Sequence, residues 1–586
     1  MRPPLNNPET TGTTALHCKK NHMYIALLVS WFSCILWFSP RLFSLFSIAG
    51  SIYARVALGL FILCLYIFWF YGNYYLMLII FDLRSPRSAK TFRSFQPAAP
   101  AAPVSGEQPK VAVLYLAMND FQYRAAFSCL DQDYTDYHLY ILDDSTEEES
   151  MREVDRFKDR FPQKVTVIRR KNREGFKAGN INHALQHYVK DADYFAVIDS
   201  DGVIPVDFLT RSIPYFALDP HIGFVQGSHR PNPMQESRFA SDLALGIIPL
   251  WTAYFEPRNK HGFVSFLGHS GVIRRSAWEK AGGFPEVVSE DLAFSTKLAE
   301  IGYRGYFAGD IISCEDFPGT YPQLRKQKEK YVKGGCQYLH RCVHSFLKSK
   351  NASWFEKLDV LISCSTLFLP AFNIFFLFVF CLILPLAFAE TKPLHLSLFN
   401  IQFSGLNAII MKGNFGALWE WDFYLLTLAM MFAPVLGCIR LVFSHPIKLI
   451  RLLFLSAVPY LSLMIVCAAG ILNYIATGKA AFPVTGDKKE NTPPGFHCNH
   501  RAIYIIELTV GLFFSYLCIK TLNLSLLAFS LSLMLGYFLN RYGWDNKWLK
   551  VVLYGPFALV LISVVLTGAN LMGVQGVFLL FFGLHF

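Results

Sequence analysis

Two pairs of acidic residues follow segments of this sequence that have the pattern of buried strands. Asp143 and Asp144 come directly after Tyr137–Leu142. Asp199 and Asp201 follow a second apolar run of the same kind. Because open α/β sheets bind ligands just beyond the carboxyl ends of their strands, these four carboxylates are candidates for one binding site.

Asp199 and Asp201 are separated by a single residue, Ser200. Since side chains alternate along an extended segment, both carboxylates leave the same side of the strand end. Hard cations such as Mg²⁺ or Mn²⁺ take oxygen ligands, usually one or two carboxylates together with phosphate oxygens. The pair therefore predicts a diphosphate site in which Asp201 binds the metal and Asp199 reaches the nucleotide. A solvated acidic turn is the alternative interpretation.

Other residues are placed to hold the rest of a nucleotide. Asp143 and Asp144 lie where a uracil or a ribose would dock. The stretch Asn172–Asn180 contains Lys177 and precedes a predicted helix. Helix N-termini and nearby cations bind anions, so this basic loop suits a diphosphate.

A third acidic pair, Glu290 and Asp291, begins a predicted amphipathic helix after the turn Gly282–Pro285. A carboxylate held near an acceptor hydroxyl can take its proton during transfer, and Asp291 is the candidate for this general base. The alternative is structural, because acidic residues also stabilise the first turn of a helix.

The elements that must position these groups begin at Val111 and continue to about His344. β-Branched and aromatic runs lie at Val111–Ala117, Tyr137–Leu142, Val165–Ile168 and Tyr194–Ile198. Amphipathic, helix-like stretches separate them. This alternation predicts a Rossmann-like parallel sheet with crossover helices.

The composition places much of the remaining chain in lipid. Of the 586 residues, 53% are hydrophobic and only 17% are charged, which excludes an ordinary soluble protein. The formal charge of +11 is concentrated beside the apolar runs, as in cytosolic loops of membrane proteins, so no nucleic-acid partner is needed to explain it. The thirteen cysteines show no paired CxxC pattern and are expected to be buried apolar side chains.

Apolar runs long enough to cross a bilayer flank the α/β region. They lie at 23–39 and 56–81, and then at 358–388, 423–443, 452–474, 502–520, 523–540, 550–567 and 570–585. The first run is expected to be a retained anchor, and the sequence ends inside the last. If every run crossed, the basic segment 478–489 would lie outside the cell, against the positive-inside rule. Residues 446–474 are therefore predicted to lie on the cytosolic interface, which leaves about eight spans.

The predicted organisation has four parts. Residues 1–94 hold two transmembrane helices, and residues 95–110 form a Pro/Ala-rich linker. Residues 111–345 form the α/β domain. Residues 346–586 form a transmembrane channel region with the interfacial helix at 446–474.

The acidic motifs and the basic loop resemble those of the family 2 inverting glycosyltransferases, and within them the cellulose synthase-like membrane enzymes. The resemblance implies a GT-A fold in which Asp143, Asp144 and Lys177 contact the nucleotide. Asp199 and Asp201 match the family's DxD motif. Ser289, Glu290 and Asp291 match its TED motif, in which Asp291 would be the catalytic base and Glu290 lies beside it.

Three further segments resemble the same family. Gly268 and His269 lie in a Phe-Leu-Gly-His sequence similar to the FCGS acceptor loop, with leucine for cysteine and histidine for serine. Gln327, Lys330 and Tyr331 match the QxxRW motif that holds the diphosphate and the acceptor, with lysine for arginine and tyrosine for tryptophan. The gating-loop motif FxVTxK is matched at 482–488 by Phe482, Val484, Thr485 and Lys488.

The resemblance implies an integral enzyme of the inner or plasma membrane with a cytosolic catalytic domain. It would polymerise a β-linked polysaccharide, by default a β-glucan from UDP-glucose, and translocate it. The expected partners are a UDP-sugar, the growing glycan, membrane lipid and accessory export subunits, with Mg²⁺ or Mn²⁺ as cofactor. Two alternatives are a non-processive transferase acting on a lipid or short glycan, and a catalytically inactive scaffold or transporter.

Overall fold

The computed structural model describes residues 21–83, 108–398, 401–411, 420–436, 446–480, 500–521 and 524–571. Two long helices, α1 (His22–Ser44) and α2 (Ile52–Leu83), precede an α/β domain. Both contain the apolar runs that predicted them. Further apolar helices follow the domain.

Seven strands of the described residues form one mixed sheet in the order β3-β2-β1-β4-β6-β5-β7. They are β1 (Val111–Ala117), β2 (Tyr137–Asp143), β3 (Val165–Ile168), β4 (Tyr194–Ile198), β5 (Ile222–Pro231), β6 (Gly271–Arg274) and β7 (Arg304–Glu315). The four strands predicted from sequence are confirmed, but the prediction of a wholly parallel sheet is wrong. Strand β6 runs antiparallel to β4 and β5, and the other neighbouring pairs are parallel.

The antiparallel strand matters for the position of a site. The six other strands all end at one edge of the sheet, whereas β6 begins at that edge. The segment that leads into β6, residues 262–270, therefore lies beside the carboxyl ends of the other strands. A parallel sheet would have placed it at the opposite edge.

Helices cover both faces of the sheet, which explains why its central strands are apolar throughout. The domain helices are α3 (Tyr123–Leu130), α4 (Glu148–Arg160), α5 (Phe176–His187), α6 (Phe208–Ser212), α7 (Arg238–Phe255), α8 (Arg258–His261), α9 (Arg275–Ala281), α10 (Glu290–Glu300), α11 (Tyr321–Arg341) and α12 (Val343–Lys348). Val113 and Tyr115 of β1 pack towards α3 and α4. Ala112 and Leu114 pack in the cluster of α5, α9 and α10 on the other face.

The helices that follow the domain are mostly apolar. They are α13 (Trp354–Thr366), α14 (Leu369–Phe378), α15 (Leu384–Ala387), α16 (Trp421–Leu436), α17 (Pro446–Thr477), α18 (His500–Thr521), α19 (Leu524–Tyr542), α20 (Lys547–Leu553) and α21 (Gly555–Leu571). Among the described residues, four helical segments are long and apolar enough to cross a membrane, at 22–47, 52–83, 450–477 and 502–520. A bent pair, α13 and α14, raises this number to five if it counts as one span.

The run predicted as a single span at 358–388 is broken. Helices α13 and α14 meet at an angle of 63°. Pro370 lies in the first turn of α14. Because proline lacks a backbone N–H and clashes with the preceding turn, it favours a helix start at this point.

The segment predicted to lie on the interface forms one helix, α17, which continues through Pro459. Residues 450–477 meet the length and composition expected of a span. The same helix packs on the domain, because the Tyr321 hydroxyl donates to Ser462 Oγ at 2.7 Å. The interfacial assignment stays a prediction.

A two-stranded hairpin after α15 was not expected from the sequence. Strands β8 (Ala389–Leu398) and β9 (Ile401–Met411) pair antiparallel. They lie in the region between the predicted spans 358–388 and 423–443.

Candidate active site

The first acidic pair lies at the carboxyl end of β2 and is held by two arginines. Asp143 accepts a hydrogen bond from Arg169 Nε at 2.7 Å. Asp144 accepts two from Arg170, at 2.9 and 2.7 Å, in a bidentate pair. Asp143 and Asp144 therefore lie at the predicted strand end with their charges compensated. Sequence reasoning did not assign a role to Arg169 or Arg170, although two consecutive arginines directly after the neighbouring strand β3 were a visible signal.

Arg170 also shapes the loop that leads into α5. Its guanidinium donates to the carbonyl oxygens of Glu174 at 2.6 Å and Phe176 at 2.9 Å. Gly175 and Phe176 have positive φ angles, 74° and 52°, so the chain turns sharply before the helix starts. This turn directs Lys177, in the first turn of α5, to the ends of the central strands.

Lys177 forms an ion pair with Asp199, with Nζ and Oδ1 2.5 Å apart. Burial lowers the pKa of Lys177, but the charges of Asp199, Glu290 and Asp291 together more than offset this effect, and the pKa is raised. Burial raises the pKa of Asp199, and Lys177 reverses that shift, so this carboxyl stays ionised. The structure thus joins the predicted basic loop to the predicted DxD pair.

Asp201 follows β4 in a turn tied to the end of β7. Its Oδ2 accepts the backbone N–H of Asp316 at 3.3 Å, and an isolated bridge pairs Val203 with Cys314. Burial and the neighbouring carboxylates Asp199, Glu315 and Asp316 raise the pKa of Asp201 to about 7, and the charge of His269 opposes this shift. A partly buried carboxylate with this deficit of positive charge fits a divalent cation.

Glu290 and Asp291 form the first turn of α10; Glu290 is buried and Asp291 is half-buried. Burial and the neighbouring Asp291 raise the pKa of Glu290 to about 7. Burial also raises the pKa of Asp291. The Ser289 side chain makes no capping hydrogen bond, and Asp291 Oδ1 accepts the N–H of Leu292 at 2.7 Å. The capping interpretation therefore accounts for one oxygen of Asp291 and leaves the other facing the site.

Gly268, in the predicted acceptor loop, lies between the candidate base and the basic loop. A Cβ atom at Gly268 would lie 3.6 Å from Asp291 Oδ2 and 3.6 Å from Lys177 Nζ. Its φ angle of +91° is in a region that favours glycine. Gly268, Asp291 and Lys177, which are far apart in the sequence, thus surround one space.

The neighbouring His269 lies in a cluster that the sequence did not predict. His269 Nε2 lies 2.7 Å from Glu315 Oε2, and His229 Nδ1 lies 3.3 Å from Glu315 Oε1. One nitrogen of each histidine and one carboxylate oxygen all lie within 4.8 Å of one another. Burial lowers the pKa of His269, but Glu315 and Asp199 outweigh burial and raise it to about 9. Glu315 is the last residue of β7 and His229 lies near the end of β5, and no local motif marks them.

Helix α11 brings the predicted QxxRW residues over these groups. Burial lowers the pKa of Lys330 to about 8, against the opposing charge of Glu290. The Tyr331 side chain is 43% exposed, and its hydroxyl is within electrostatic reach of Glu315 and Asp291. Gln327 is half-buried one turn before Lys330.

A buried ion pair fixes α11 against the apolar helices. Arg325 Nη1 donates to both carboxylate oxygens of Glu507 in α18, at 2.7 and 2.9 Å, and to the Tyr321 hydroxyl at 3.0 Å. The helix begins with a capping box formed by Thr320 and Gln323. These contacts set the position of Lys330 and Tyr331 relative to the sheet edge.

The predicted gating-loop residues Phe482, Val484, Thr485 and Lys488 lie outside the described residues, as does most of the predicted linker.

The arrangement provides the groups that sugar transfer from a nucleotide needs. Asp201 can bind a cation, Lys177 and Lys330 supply positive charge near a diphosphate, and Asp291 offers a carboxylate beside an open space. Residues 194–389 match a family model described as "Glycosyl transferase family group 2". This part of the chain is therefore similar to the family 2 glycosyltransferases.

The matched residues include Asp199, Asp201, the predicted acceptor loop, Asp291 and Lys330. The chain is 28% identical over 231 residues to glucomannan 4-beta-mannosyltransferase 2 of Arabidopsis thaliana, covering 38% of this chain and 43% of that protein. It is 26% identical over 253 residues to glucomannan 4-beta-mannosyltransferase 7 of the same plant, covering 42% of this chain and 46% of that protein. The chain spans about half the length of the curated relatives it matches.

Among solved structures, the chain is similar to the mannosyltransferase PcManGT from Pyrobaculum calidifontis in complex with GDP-Man and Mn²⁺. The identity is 16% and the TM-score 0.40, over 67% of this chain and 99% of that chain. A similarity to GalNAc-T7 with UDP, GalNAc and Mn²⁺ has 13% identity and a TM-score of 0.29, over 36% of this chain and 43% of that chain.

Gly268→Ala is expected to reduce turnover while leaving the fold intact. The added methyl group fits beside Asp291 and Lys177 without overlap, but the positive φ of Gly268 becomes strained, at a cost of about 1–3 kcal/mol. Relief of this strain would move the loop away from Asp291, and turnover should fall by roughly tenfold or more. The measurement compares kcat and thermal unfolding of purified variant and wild type.

Gly302→Ala is the matched control, because Gly302 has a φ of +89° and nothing lies within 4 Å of its added Cβ. It should lose comparable stability and keep its turnover. Equal turnover losses in both variants would contradict a local role for Gly268.

Glu290→Gln is expected to move the acid limb of the pH–rate profile to lower pH. A base must be ionised to act, and burial raises the pKa of Asp291, so wild-type kcat should fall as the pH drops through a value above that of an ordinary aspartate. Removing the negative charge of Glu290 favours ionisation of Asp291 and lowers that value. The profile is measured from about pH 5 to 9, whatever the absolute rate.

Glu279→Gln serves as the control, since Glu279 is an exposed residue that pairs with Arg275 on α9. Its profile should coincide with that of the wild type. An acid limb that stays in place or moves to higher pH in Glu290→Gln would exclude the proposed coupling.

Proposed function

We propose that this chain is a membrane-embedded inverting hexosyltransferase that extends a β-linked polysaccharide. The observation that carries the proposal is the convergence of Asp201, the Lys177–Asp199 pair and Asp291 around Gly268. These groups come from three separate segments, the loop of Gly268 is a fourth, and each group has a function that sugar transfer requires. An inactive scaffold would not need buried, uncompensated carboxylates at this point.

The proposed mechanism assigns one task to each group. Lys177 and Lys330 would face the diphosphate of the donor and stabilise the charge that develops as the sugar leaves. A divalent cation held by Asp201 would neutralise the same diphosphate. Asp291 would take the proton of the acceptor hydroxyl as its oxygen attacks the anomeric carbon from the opposite side, which inverts the configuration.

The donor sugar is a hexose. The resemblance in the sequence gives UDP-glucose as the default, whereas the names of the plant relatives specify mannosyl transfer. Glucose and mannose donors are both compatible with a site that recognises the diphosphate, and the experiment below distinguishes between them.

The membrane region is proposed to conduct the product. The proposed topology has two spans before the domain and about six after it, with α17 on the cytosolic interface and the domain in the cytosol. The contacts of α11 join the α/β domain to the apolar helices, because Arg325 binds Glu507 of α18 and Tyr321 binds Ser462 of α17. A glycan that leaves the acceptor side of the site would meet these helices first.

The test is incubation of the purified protein with radiolabelled UDP-glucose and GDP-mannose in separate reactions, each with Mn²⁺ or Mg²⁺. A high-molecular-weight product with a single β-linkage supports the proposal and identifies the sugar. A product with one sugar on a lipid identifies the non-processive alternative. Failure of a panel of nucleotide-hexoses to yield any product, with a folded protein, would refute hexosyl transfer.

A further inference from the structure

A buried glutamine that the proposed mechanism does not use lies beside the predicted acceptor loop. Gln226 is on β5, where it pairs with Gly271 of β6 and Phe307 of β7, and it is completely buried. Burying an amide costs free energy unless its oxygen and its N–H groups find hydrogen-bond partners. The partners of this amide therefore indicate what the side chain does.

The Gln226 amide binds the backbone on both sides of Gly268. Its oxygen accepts the N–H of Leu267 at 2.9 Å, and its nitrogen donates to the carbonyl oxygen of His269 at 3.0 Å. The nitrogen also lies 3.3 Å from the carbonyl oxygen of Ser270. Rotating the amide by half a turn would place its oxygen against these carbonyls, so its orientation is fixed. One side chain thus holds a backbone donor and a backbone acceptor on either side of one glycine.

Neighbouring elements hold the two ends of the same loop. The N–H of Phe266 donates to Ser295 Oγ at 2.8 Å, and Ser295 Oγ donates to the carbonyl oxygen of Asp291 at 2.7 Å. The N–H of Ser270 donates to the carbonyl oxygen of Val197 at 2.8 Å. The loop is therefore attached to the helix of the candidate base at one end and to β4 at the other, and the buried glutamine holds the turn between them.

This turn has an unfavourable backbone conformation. Gly268 and Ser270 have positive φ angles, 91° and 52°, and serine rarely adopts such an angle. A backbone of this kind persists only where the surrounding contacts fix it. A Cβ atom at Gly268 would lie 3.6 Å from both Asp291 Oδ2 and Lys177 Nζ. A small shift of the turn would therefore change the space in front of the candidate base.

We propose that Gln226 is a positioning residue for sugar transfer, which holds the turn at Gly268 so that an acceptor hydroxyl can approach Asp291. The inference rests on the proposed function, because it concerns the acceptor side of the same site. Gln226 acts through its hydrogen bonds to Leu267 and His269. Without them, these two backbone groups lose their partners, which favours another conformation of the loop.

Gln226→Met tests this role, because methionine is also long and unbranched but has no amide. Turnover, kcat, should fall by about 10- to 100-fold, since a displacement of about 1 Å near the reacting groups can have this effect. Calorimetric titration with UDP or GDP should give an affinity close to that of the wild type, because the predicted nucleotide contacts lie at the ends of β2 and β4. A general loss of structure would lower both quantities.

Gln132→Met is the matched control, because the half-buried Gln132 also joins separate parts of the backbone. Its nitrogen donates to the carbonyl oxygen of Pro205 at 3.0 Å, and its oxygen accepts the N–H of Leu209 at 3.3 Å. Gln132 lies shortly before β2 begins, at the edge of the sheet opposite to the site. This variant should lose some stability in thermal unfolding and keep its turnover and nucleotide affinity.

Hydrogen–deuterium exchange tests the hydrogen bonds of Gln226 independently of turnover. The N–H of Leu267 donates to a fully buried side chain, so it should exchange slowly in the wild type. A peptide that contains Leu267 should lose this protection in Gln226→Met, while peptides from β1 and β4 keep theirs.

Four results would overturn the inference: rapid exchange at Leu267 in the wild type, a kcat for Gln226→Met close to that of the wild type, equal losses of kcat in Gln226→Met and Gln132→Met, or a nucleotide affinity that falls together with kcat. The exchange of the wild type decides even if Gln226→Met does not fold. Failure of the proposed function is a different result, because it is the absence of any glycosyl product from the wild type.

Discussion

Asp291→Asn is expected to lower kcat by about two to four orders of magnitude. The amide preserves the shape and the contact with the N–H of Leu292, but it cannot take a proton from the acceptor. Asp291 Oδ2 faces the space beside Gly268 and Lys177, so its loss acts on the reacting hydroxyl. Initial rates with saturating donor measure the effect.

Nucleotide binding is the internal control for Asp291→Asn, because the predicted nucleotide contacts lie at Asp143, Asp144 and Asp199. Calorimetric titration with UDP or GDP should give an affinity close to that of the wild type. Asp310→Asn, at a carboxylate held by Arg211 and Tyr215 outside the site, should keep its turnover. If Asp291→Asn retained more than about a tenth of wild-type kcat, Asp291 would be a helix-terminal residue only.

Asp201→Asn is expected to reduce turnover by about three orders of magnitude, because a cation on the diphosphate contributes several kcal/mol to the transition state. Asparagine keeps the volume of the side chain and removes the charge that holds the cation. Removal of divalent ions from the wild type with EDTA should have the same result, and added Mn²⁺ should restore it. Turnover and Mn²⁺ binding are measured on the same preparations.

Asp316→Asn is the matched control, since the same chemical change is made close by. Its carboxylate oxygens accept hydrogen bonds from the side-chain amides of Asn232, at 2.8 Å, and Gln122, at 3.3 Å. This variant should keep most of its turnover and its Mn²⁺ affinity. Full wild-type activity in EDTA would show that Asp201 does not act through a metal.

The acidic motifs were recognisable in the sequence because each is local. Asp143 and Asp201 adjoin strands whose apolar pattern predicts them, and the rule that ligands bind at strand ends places both at one edge. The boundaries of β1 and β4 agree with those predicted from sequence, since both strands are buried on two faces and therefore apolar throughout. Lys177 was found in the same way, from a basic loop before a helix.

The direction of β6 was not predictable in this way. A short apolar run has the same pattern in either orientation, and only its pairing with β4 and β5 shows that it is antiparallel. The continuity of α17 was not predictable either. Pro459 suggests a break in this segment, but the structure has one continuous helix, in which Ser462 accepts a hydrogen bond from Tyr321.

By itself, the sequence determined which residues carry charge at the ends of the strands, because those signals lie within a few positions of each other. Only the tertiary structure decided which charges meet. Glu315 and His269 come from separate segments and lie together because β6 begins where β7 ends. Arg325 finds its partner Glu507 in a helix far along the chain. Such pairs depend on how the elements pack in three dimensions, and the sequence around a buried charge has no local pattern that identifies its partner.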